Sequence, residues 1–373
     1  MQGLLWWVLT VVYAPDYEKW MRWCPVIASH PLTCYARTDV HYPPLGSLLP
    51  TLVWYVGHVL LGMHPWDWRF RVLWKLPVWI GALACLYCAR RVGVGESGLL
   101  VIALSSVYSC AFWQLDPISV ALALAAVRWR ERWVGGALAA LAFCTKPTAG
   151  LVALPFLRRW RSVAVFGLTT LAVLLPYLMA NGWSFLENVV LFQVSRPPQN
   201  CSIWMLLHPP NGVPVALLVA SVLGPLVLPG RPERRACAIG AALLAFSKVV
   251  NPNYWSVSCA AACLESERLG ALLLSSGLLF LVASGLYVSS VRGYFNAEDG
   301  RFYPMQELFV PRPPEPPVRV PPWLAGRLLD GAIVYSFLTS LWVYARCVLG
   351  GRPGGDFLRS CGAWVSARPN RRG

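Results

Sequence analysis

Residues 15–20 (PDYEKW) and 38–45 (TDVHYPPL) bound a polar and aromatic stretch of about thirty residues near the start of the chain. The stretch follows a short apolar run and precedes a long series of other apolar runs. It contains the acidic residues Asp16, Glu18 and Asp39, and it closes on a Tyr-Pro-Pro turn stiffened by two fixed φ angles. The sequence therefore predicts a polar island at the edge of a membrane.

The composition supports a membrane protein. Of 373 residues, 57% are hydrophobic and only 13% are charged, whereas soluble domains carry about a quarter charged residues. Apolar runs recur along the chain, which predicts an all-α polytopic transmembrane bundle. The net charge is +15, and the basic residues cluster between apolar runs. This pattern is typical of basic loops on the cytoplasmic side, next to membrane lipids, and not of a surface that binds nucleic acid. No nucleic-acid partner is therefore expected.

The arginine clusters predict the topology through the positive-inside rule. If residues 45–63 crossed the membrane, the later clusters would face the wrong side, so this segment is expected to lie along the outer surface or to re-enter the membrane. About eleven or twelve spans are then predicted, several of them short. The runs are Leu4–Ala14, Val72–Ala89, Val94–Trp113, Ile118–Val127, Val134–Cys144, Thr148–Leu157, Val163–Ala180, Val213–Leu228, Ala236–Val250, Tyr254–Leu264, Leu269–Tyr287 and 329–345.

The chain is expected to form one transmembrane domain over residues 1–349. Its outer loops would be residues 15–71, 181–212 and 288–327, and residues 350–373 would form a basic cytoplasmic tail. The high arginine and tryptophan content and the scarcity of lysine favour a prokaryotic plasma membrane over the endoplasmic reticulum.

Isolated cations at the ends of apolar runs are candidate functional residues. Lys146 and Lys248 each interrupt apolar sequence, and Arg196 lies in the loop 181–212. A lysine at such a place can simply extend to the headgroups, but it can also hold a phosphate at the bilayer surface. Together with the acidic island, these cations suit group transfer from a lipid phosphate. A carboxylate would deprotonate the acceptor while a cation neutralises the leaving group.

Several motifs resemble the GT-C superfamily of polytopic glycosyltransferases, which use polyprenyl- or dolichyl-phosphate sugars. Residues 16–23 and 39–45 resemble the first outer loop of the dolichyl-phosphate-glucose glucosyltransferases of N-glycan assembly. Further similarities to these enzymes, to prokaryotic polyprenol-dependent mannosyltransferases and to the GPI-anchor mannosyltransferase lie at residues 113–116 (WQLD), 144–147 (CTKP) before 154–156 (LPF), 195–204 (SRPPQNCSIW) and 247–255 (SKVVNPNYW). The resemblance spans roughly residues 10–265. It implies a non-spanning amphipathic helix in the first outer loop, which residues 45–63 would form.

The resemblance implies a role for each candidate. Asp16 would be the general base of an inverting, metal-independent transfer of mannose or glucose on the outer or lumenal face. Glu18 and Asp39 would orient the acceptor or assist the base. The proposed substrate-binding residues have different roles. His41 would contact a sugar hydroxyl, and Tyr42 would chiefly shape the loop. The donor phosphate would be bound by Arg196, Lys248, Lys146 and Arg71, and Asp116 would be the partner of a cation.

The partners implied are a polyprenyl- or dolichyl-phosphate sugar and a lipid-linked glycan, glycolipid or protein acceptor. The chain departs from the family in its short first helix, in lacking a large outer C-terminal domain, and in having His41 where the glucosyltransferases often have Asp. The identities of the sugar and of the acceptor therefore stay open.

Metal and cofactor sites are not expected. The acidic residues follow no DxD pattern, and Cys85 and Cys88 have CxxC spacing inside an apolar run without a second pair. A disulfide between Cys24 and Cys34 is one option in the outer loop. Two other functions fit a polytopic chain, namely a transporter or lipid flippase and a non-catalytic assembly subunit. Transporters commonly show internal repeats with charges near the midplane, and neither is evident here.

Overall fold

The computed structural model describes residues 2–210, 212–227, 229–296, 301–304, 308–311 and 320–349, with side chains omitted at 2–5, 293–296 and 301–303. The expected tail at 350–373 lies outside this part of the chain. The described residues are predominantly helical, as the sequence predicted.

The helices connect through short turns. In chain order they are α1 Gln2–Thr10, α2 Ala14–Ser29, α3 Pro44–Trp54, α4 Trp68–Arg91, α5 Glu96–Phe112, α6 Asp116–Arg128, α7 Trp133–Thr145, α8 Pro147–Ala153, α9 Trp160–Asn181, α10 Trp183–Leu186, α11 Phe192–Ser195, α12 Trp204–Leu207, α13 Gly212–Val227, α14 Pro232–Phe246, α15 Tyr254–Glu265, α16 Glu267–Val291 and α17 Pro322–Leu349.

Short irregular helices and strands complete the fold. There are 3-10 turns at Cys34–Ala36 and Leu154–Phe156, and π-helical segments at Tyr55–Leu60 and Glu187–Leu191. The strands are β1 Val12–Tyr13, β2 Gln199–Asn200, β3 Val249–Val250, β4 Gly293–Asn296, β5 Arg301–Pro304 and β6 Phe309–Val310. They pair as β1 with β6 and β4 with β5, both antiparallel, and as β2 with β3, in parallel.

In the part of the chain that the structure describes, four helices are long and apolar enough to cross a membrane, namely α4, α9, α16 and α17. This favours a membrane protein. Shorter apolar helices lie at Pro44–Leu60, Glu96–Phe112, Trp133–Thr145, Pro147–Phe156 and Gly212–Val227. These are below the length of about 20 residues that a span needs, so the count of eleven or twelve spans stays a prediction.

The N-terminal region differs from the expectation. The first helix ends at Thr10 instead of continuing to Ala14, because Val12 and Tyr13 pair with Val310 and Phe309. Residues 15–71, expected as an outer loop, are largely helical. The helix expected at residues 45–63 is confirmed by Pro44–Trp54 and the π-helical segment Tyr55–Leu60, whereas the helix Ala14–Ser29 was not expected. Pro15 and Pro44 each lie in the first turn of a helix, where a missing backbone N–H costs little.

Cys24 and Cys34 are both free and buried, so the optional disulfide is not formed. Cys24 lies on the buried face of α2, and its side chain hydrogen-bonds to that of Thr51 in α3.

The two ends of the bundle differ in charge. At one end, which we call the arginine-rich end, ion pairs join the end of α4 to α5, the α6–α7 connection to the starts of α9 and α14, and the start of α14 to the end of α15. These pairs are Arg90–Glu96 at 3.6 Å, Arg159–Glu131 at 3.2 Å, Arg130–Glu233 at 3.4 Å and Arg231–Glu265 at 2.9 Å. At the other end, the last residue of α9, Asn181, donates to the carbonyl of Leu32 at 2.6 Å. Helices α4 and α9 therefore run between two chemically distinct ends.

An aromatic core fills the second of these ends, between α2 and the start of α4. Trp74 stacks on Trp113 with ring centroids 4.5 Å apart, and Trp20 contacts both rings edge-on or tilted. Tyr17 and Trp23 extend the same cluster. This packing fixes the helix that carries Asp16.

Glycine allows α7 and α9 to approach closely. A Cβ at Gly136 would overlap the backbone carbonyl oxygen of Ser162 and lie 3.1 Å from the amide nitrogen of Phe166. A Cβ at Gly167 on α9 would meet no neighbouring heavy atom within 4 Å. Small residues at such contacts let helix backbones pack together in membranes.

We expect Gly136→Ala to lower the thermal unfolding midpoint of the purified protein in detergent. Overpacking against a backbone costs about 1–3 kcal/mol, more than the helix propensity gained. Gly167→Ala is the control and should leave the midpoint unchanged or raise it. Equal midpoints for the two variants would contradict the close approach.

Candidate functional site

Asp16 is half-buried in the first turn of α2, and we call the site that it forms with Lys19, Gln114 and Arg196 the recess. The side chain of Gln114 hydrogen-bonds to its carboxylate. Lys19 and Arg196 act on it electrostatically, Lys19 from one turn along the same helix face and Arg196 from the segment after α11. The recess therefore combines one carboxylate with two cations from separate parts of the chain.

Burial raises the pKa of Asp16 above its ordinary value, and the positive charges of Lys19 and Arg196 and the Gln114 hydrogen bond oppose that rise. A carboxylate with a raised pKa is a stronger base than an exposed aspartate. Helix α2 is not one of the four long apolar helices.

Arg196 contacts groups from several segments. Its Nη2 donates to Gln199 Oε1 at 3.0 Å, and its guanidinium lies 5.0 Å from the ring centre of Phe192. Its charge acts on Asp16, His41 and Tyr42 alike. Arg196 thus faces the polar stretch that the sequence singled out.

Lys248 approaches the same region from a second segment. Strand β3 pairs with β2, and the amide of Gln199 donates to the carbonyl of Lys248 at 2.9 Å. The Lys248 ammonium donates to the carbonyl of Val194 at 2.8 Å. Lys248 is only 4% exposed, and burial lowers its pKa. Lys248 therefore lies close to the segment that carries Arg196, and its ammonium bonds to a backbone carbonyl of that segment.

A buried ion pair borders the recess. Lys146 Nζ is 2.7 Å from Asp116 Oδ2, which also accepts a hydrogen bond from Asn253 Nδ2 at 2.6 Å. The Lys146 ammonium lies 5.2 Å from the ring centre of Tyr254. Asp116 is fully buried, and both of these partners bind its Oδ2 atom. The expectation that Asp116 partners a cation is confirmed.

His41 and Tyr42 form an aromatic wall beside these charges. The His41 ring stacks on Phe192 at 4.2 Å and on Tyr42 at 5.3 Å. Burial, and next the charge of Arg196, lowers the pKa of His41 to about 3. Burial also raises the pKa of Tyr42, and nearby Asp16 adds to that rise. Both side chains are therefore uncharged at neutral pH.

Three candidates lie apart from the recess. Asp39 is exposed and accepts a hydrogen bond from Trp23 Nε1 at 2.6 Å, although its backbone carbonyl contacts His41. Glu18 is exposed and, two residues after Asp16 on a helix, faces a different side. Arg71 is buried in α4 near Tyr17 and Asp67. The catalytic roles of Asp39 and Glu18 and the phosphate role of Arg71 stay predictions.

Four residues at the recess were not chosen as candidates from the sequence, namely Lys19, Gln114, Asn253 and Tyr254. Gln114, Asn253 and Tyr254 lie inside motifs that were noticed, each next to a chosen residue or a few positions from it. The spacing of Asp16 and Lys19 becomes informative only when that segment is known to be helical.

Within the described ranges, no group of three or more His, Cys, Asp or Glu side chains could hold a metal ion. Metal independence stays a prediction. The recess offers a carboxylate to accept a proton and cations that can neutralise an anionic group.

We expect Lys146→Met to destabilise the protein by about 3–5 kcal/mol, because it leaves the buried carboxylate of Asp116 without its cation. Unfolding of the purified protein in mixed micelles measures this. The double variant Asp116→Asn with Lys146→Met removes both charges and should recover a large part of the loss. An undiminished loss in the double variant would show that the pair is not energetically coupled.

No protein-family model matches the chain, and no curated protein matches it. The chemistry of the recess must therefore be argued from its own residues.

Proposed function

We propose that the chain is a multi-pass integral-membrane hexosyltransferase that moves mannose or glucose from a polyprenyl-phosphate carrier to an acceptor hydroxyl. The observation that carries the proposal is the recess in which Asp16, raised in pKa, meets Lys19 and Arg196. The motif resemblance to GT-C glycosyltransferases supports the same proposal.

In the proposed reaction, Asp16 accepts the proton of the acceptor hydroxyl as its oxygen attacks C1 of the donor sugar. The bond between C1 and the phosphate oxygen breaks, and its electron pair leaves with the lipid phosphate. Arg196 is suited to hold that phosphate because guanidinium groups bind phosphate oxygens in a bidentate manner. Attack opposite to the leaving group inverts the configuration at C1.

An apolar groove supports a donor with a hydrocarbon tail. The groove has a volume of about 580 Å³, and its lining includes Leu45, Leu48 and Leu49 from α3 and Ile118 from α6. It reaches Thr145, the residue before Lys146. A lipid tail in this groove would place its phosphate near the buried ion pair and the recess.

The outer or lumenal face is proposed for the recess. The arginine-rich end lies at the opposite end of α4, whose 24 residues span about 36 Å. Arginine clusters face the cytoplasm in most membrane proteins, which leaves the Asp16 end on the other side.

A transporter or lipid flippase is the second candidate. It is favoured by two buried cations one turn apart on α4, Arg71 and Lys75, of which Lys75 donates to the carbonyl of Val8 at 2.6 Å. Charges inside a candidate span commonly mark a transport path. The assays below separate this function from transfer.

We expect Asp16→Asn to lower the rate of transfer of labelled mannose or glucose from polyprenyl phosphate in proteoliposomes by at least about 100-fold, because the variant cannot take up the proton of the acceptor hydroxyl. Glu187→Gln is the control, since Glu187 is an exposed carboxylate in the segment between α10 and α11. Equal transfer by Asp16→Asn and wild type would refute the assigned base. Solute or lipid flux without transfer would favour the second candidate.

The pH dependence of transfer tests the environment of Asp16. The rate should fall as pH decreases through the pKa of Asp16, and this limb should lie above the ordinary carboxyl range because burial raises that pKa. Lys19→Gln removes a cation that lowers the pKa, so the limb should move to higher pH. Lys19→Arg keeps the charge and should keep the limb. A limb that does not move in Lys19→Gln would contradict this electrostatic coupling.

A further inference from the structure

A polar cleft opens at the arginine-rich end, far from the recess of Asp16. It has a volume of about 590 Å³ and lies between the ends of α4, α6 and α15 and the start of α14. Its charged lining consists of Arg91, Arg128, Arg130, Arg231, Glu131 and Glu233. Four guanidinium groups against two carboxylates leave an excess of two positive charges.

Both glutamates of the cleft are already paired with arginines. Glu131 lies 3.2 Å from Arg159 and 3.9 Å from Arg130. Glu233 lies 3.4 Å from Arg130 and 3.8 Å from Arg231. Neither carboxylate is therefore available to neutralise the remaining arginines of the cleft.

Arg91 and Arg128 carry the excess charge. The Arg91 guanidinium contacts the ring and hydroxyl of Tyr87, and that of Arg128 lies 5.8 Å from the ring centre of Trp129. Among the described residues, neither has a carboxylate within ion-pair distance. These contacts with aromatic rings hold the guanidinium groups at the cleft while leaving their charge uncompensated.

The cleft also has apolar walls. Val92, Val127, Phe156 and Leu264 line it together with the arginines. Two of the helices long enough to cross a membrane, α4 and α16, end or begin beside it, at Arg91 and Glu267. A ligand that fits both features has an anionic head and apolar chains.

We propose that this cleft binds the phosphate headgroup of an anionic phospholipid, with Arg91 and Arg128 contacting the phosphate. The apolar walls receive the first carbons of the acyl chains, and the ends of α4 and α16 set the cleft at the level of the headgroups. Basic pockets between helices at the cytoplasmic surface are suited to such lipids. The site is independent of the transferase activity proposed above.

Native mass spectrometry of the full-length protein in detergent, titrated with phosphatidylglycerol or phosphatidylcholine, tests the site. Wild type should retain phosphatidylglycerol preferentially. The double variant Arg91→Gln with Arg128→Gln should bind it at least about tenfold more weakly. The control is Arg158→Gln with Arg161→Gln, which removes the same charge from exposed positions of the segment before α9 and at its start and should bind as wild type does.

If both double variants weaken phosphatidylglycerol binding equally, the effect comes from the overall charge of the protein and the proposal is overturned. Inorganic pyrophosphate separates the two phosphate sources. If it stabilises the protein in phosphatidylcholine nanodiscs while phosphatidylglycerol does not bind, the cleft holds a soluble phosphate and the lipid assignment fails.

A second measurement does not depend on the folding of the variants. A photoreactive phosphatidylglycerol incorporated with the wild-type protein should label peptides that contain residues 91–94 or 127–131. Labelling distributed over the apolar helices without enrichment in these peptides would overturn the proposal.

Discussion

The buried carboxylate of Asp116 is the constraint on which this end of the bundle depends. It is fully buried, and Lys146 and Asn253 both bind its Oδ2 atom. These three residues belong to the start of α6, the connection from α7 to α8, and the turn before α15. Because an uncompensated charge at this depth would be very unfavourable, the three segments must stay together. The ion pair that holds these segments together lies beside the recess that contains Asp16 and Arg196.

The division of charge between the two ends of α4 gives the molecule its second organising feature. One end holds acidic, aromatic and isolated cationic residues, and the other holds arginines paired with glutamates. About 36 Å of helix separates them. If the chain crosses a bilayer, the two ends meet different aqueous phases, so a group-transfer site and a lipid headgroup site can act independently.

The helical architecture was largely predictable, because arginines and prolines bound the apolar runs. The run Val163–Ala180 became helix Trp160–Asn181, and Val72–Ala89 became Trp68–Arg91. Within residues 15–71, the helix at Pro44–Trp54 was expected from the resemblance, whereas the helix Ala14–Ser29 was not foreseen. The polar and aromatic residues of that segment suggested a loop, but Pro15 lies in the first turn of a helix, where proline is tolerated. Hydrophobicity alone could not distinguish these possibilities.

The site was predictable in part. His41, Tyr42, Arg196 and Asp16 interact as expected of one site, since their motifs were recognisable along the chain. Lys146 and Asn253 meet at the carboxylate of Asp116 through contacts that span 30 and 137 residues of sequence, which local sequence does not encode. The exposed positions of Glu18 and Asp39 depend on helix phase and packing in the same way.

The most direct test of the central claim is a cryo-EM structure with a non-cleavable phosphonate analogue of a polyprenyl-phosphate hexose. The account predicts the phosphonate on the Arg196 guanidinium, the lipid tail in the α3 groove, and Asp16 facing the anomeric carbon across a gap wide enough for one acceptor hydroxyl. A donor analogue bound at the arginine-rich end, or bound with Asp16 remote from its sugar, would contradict it.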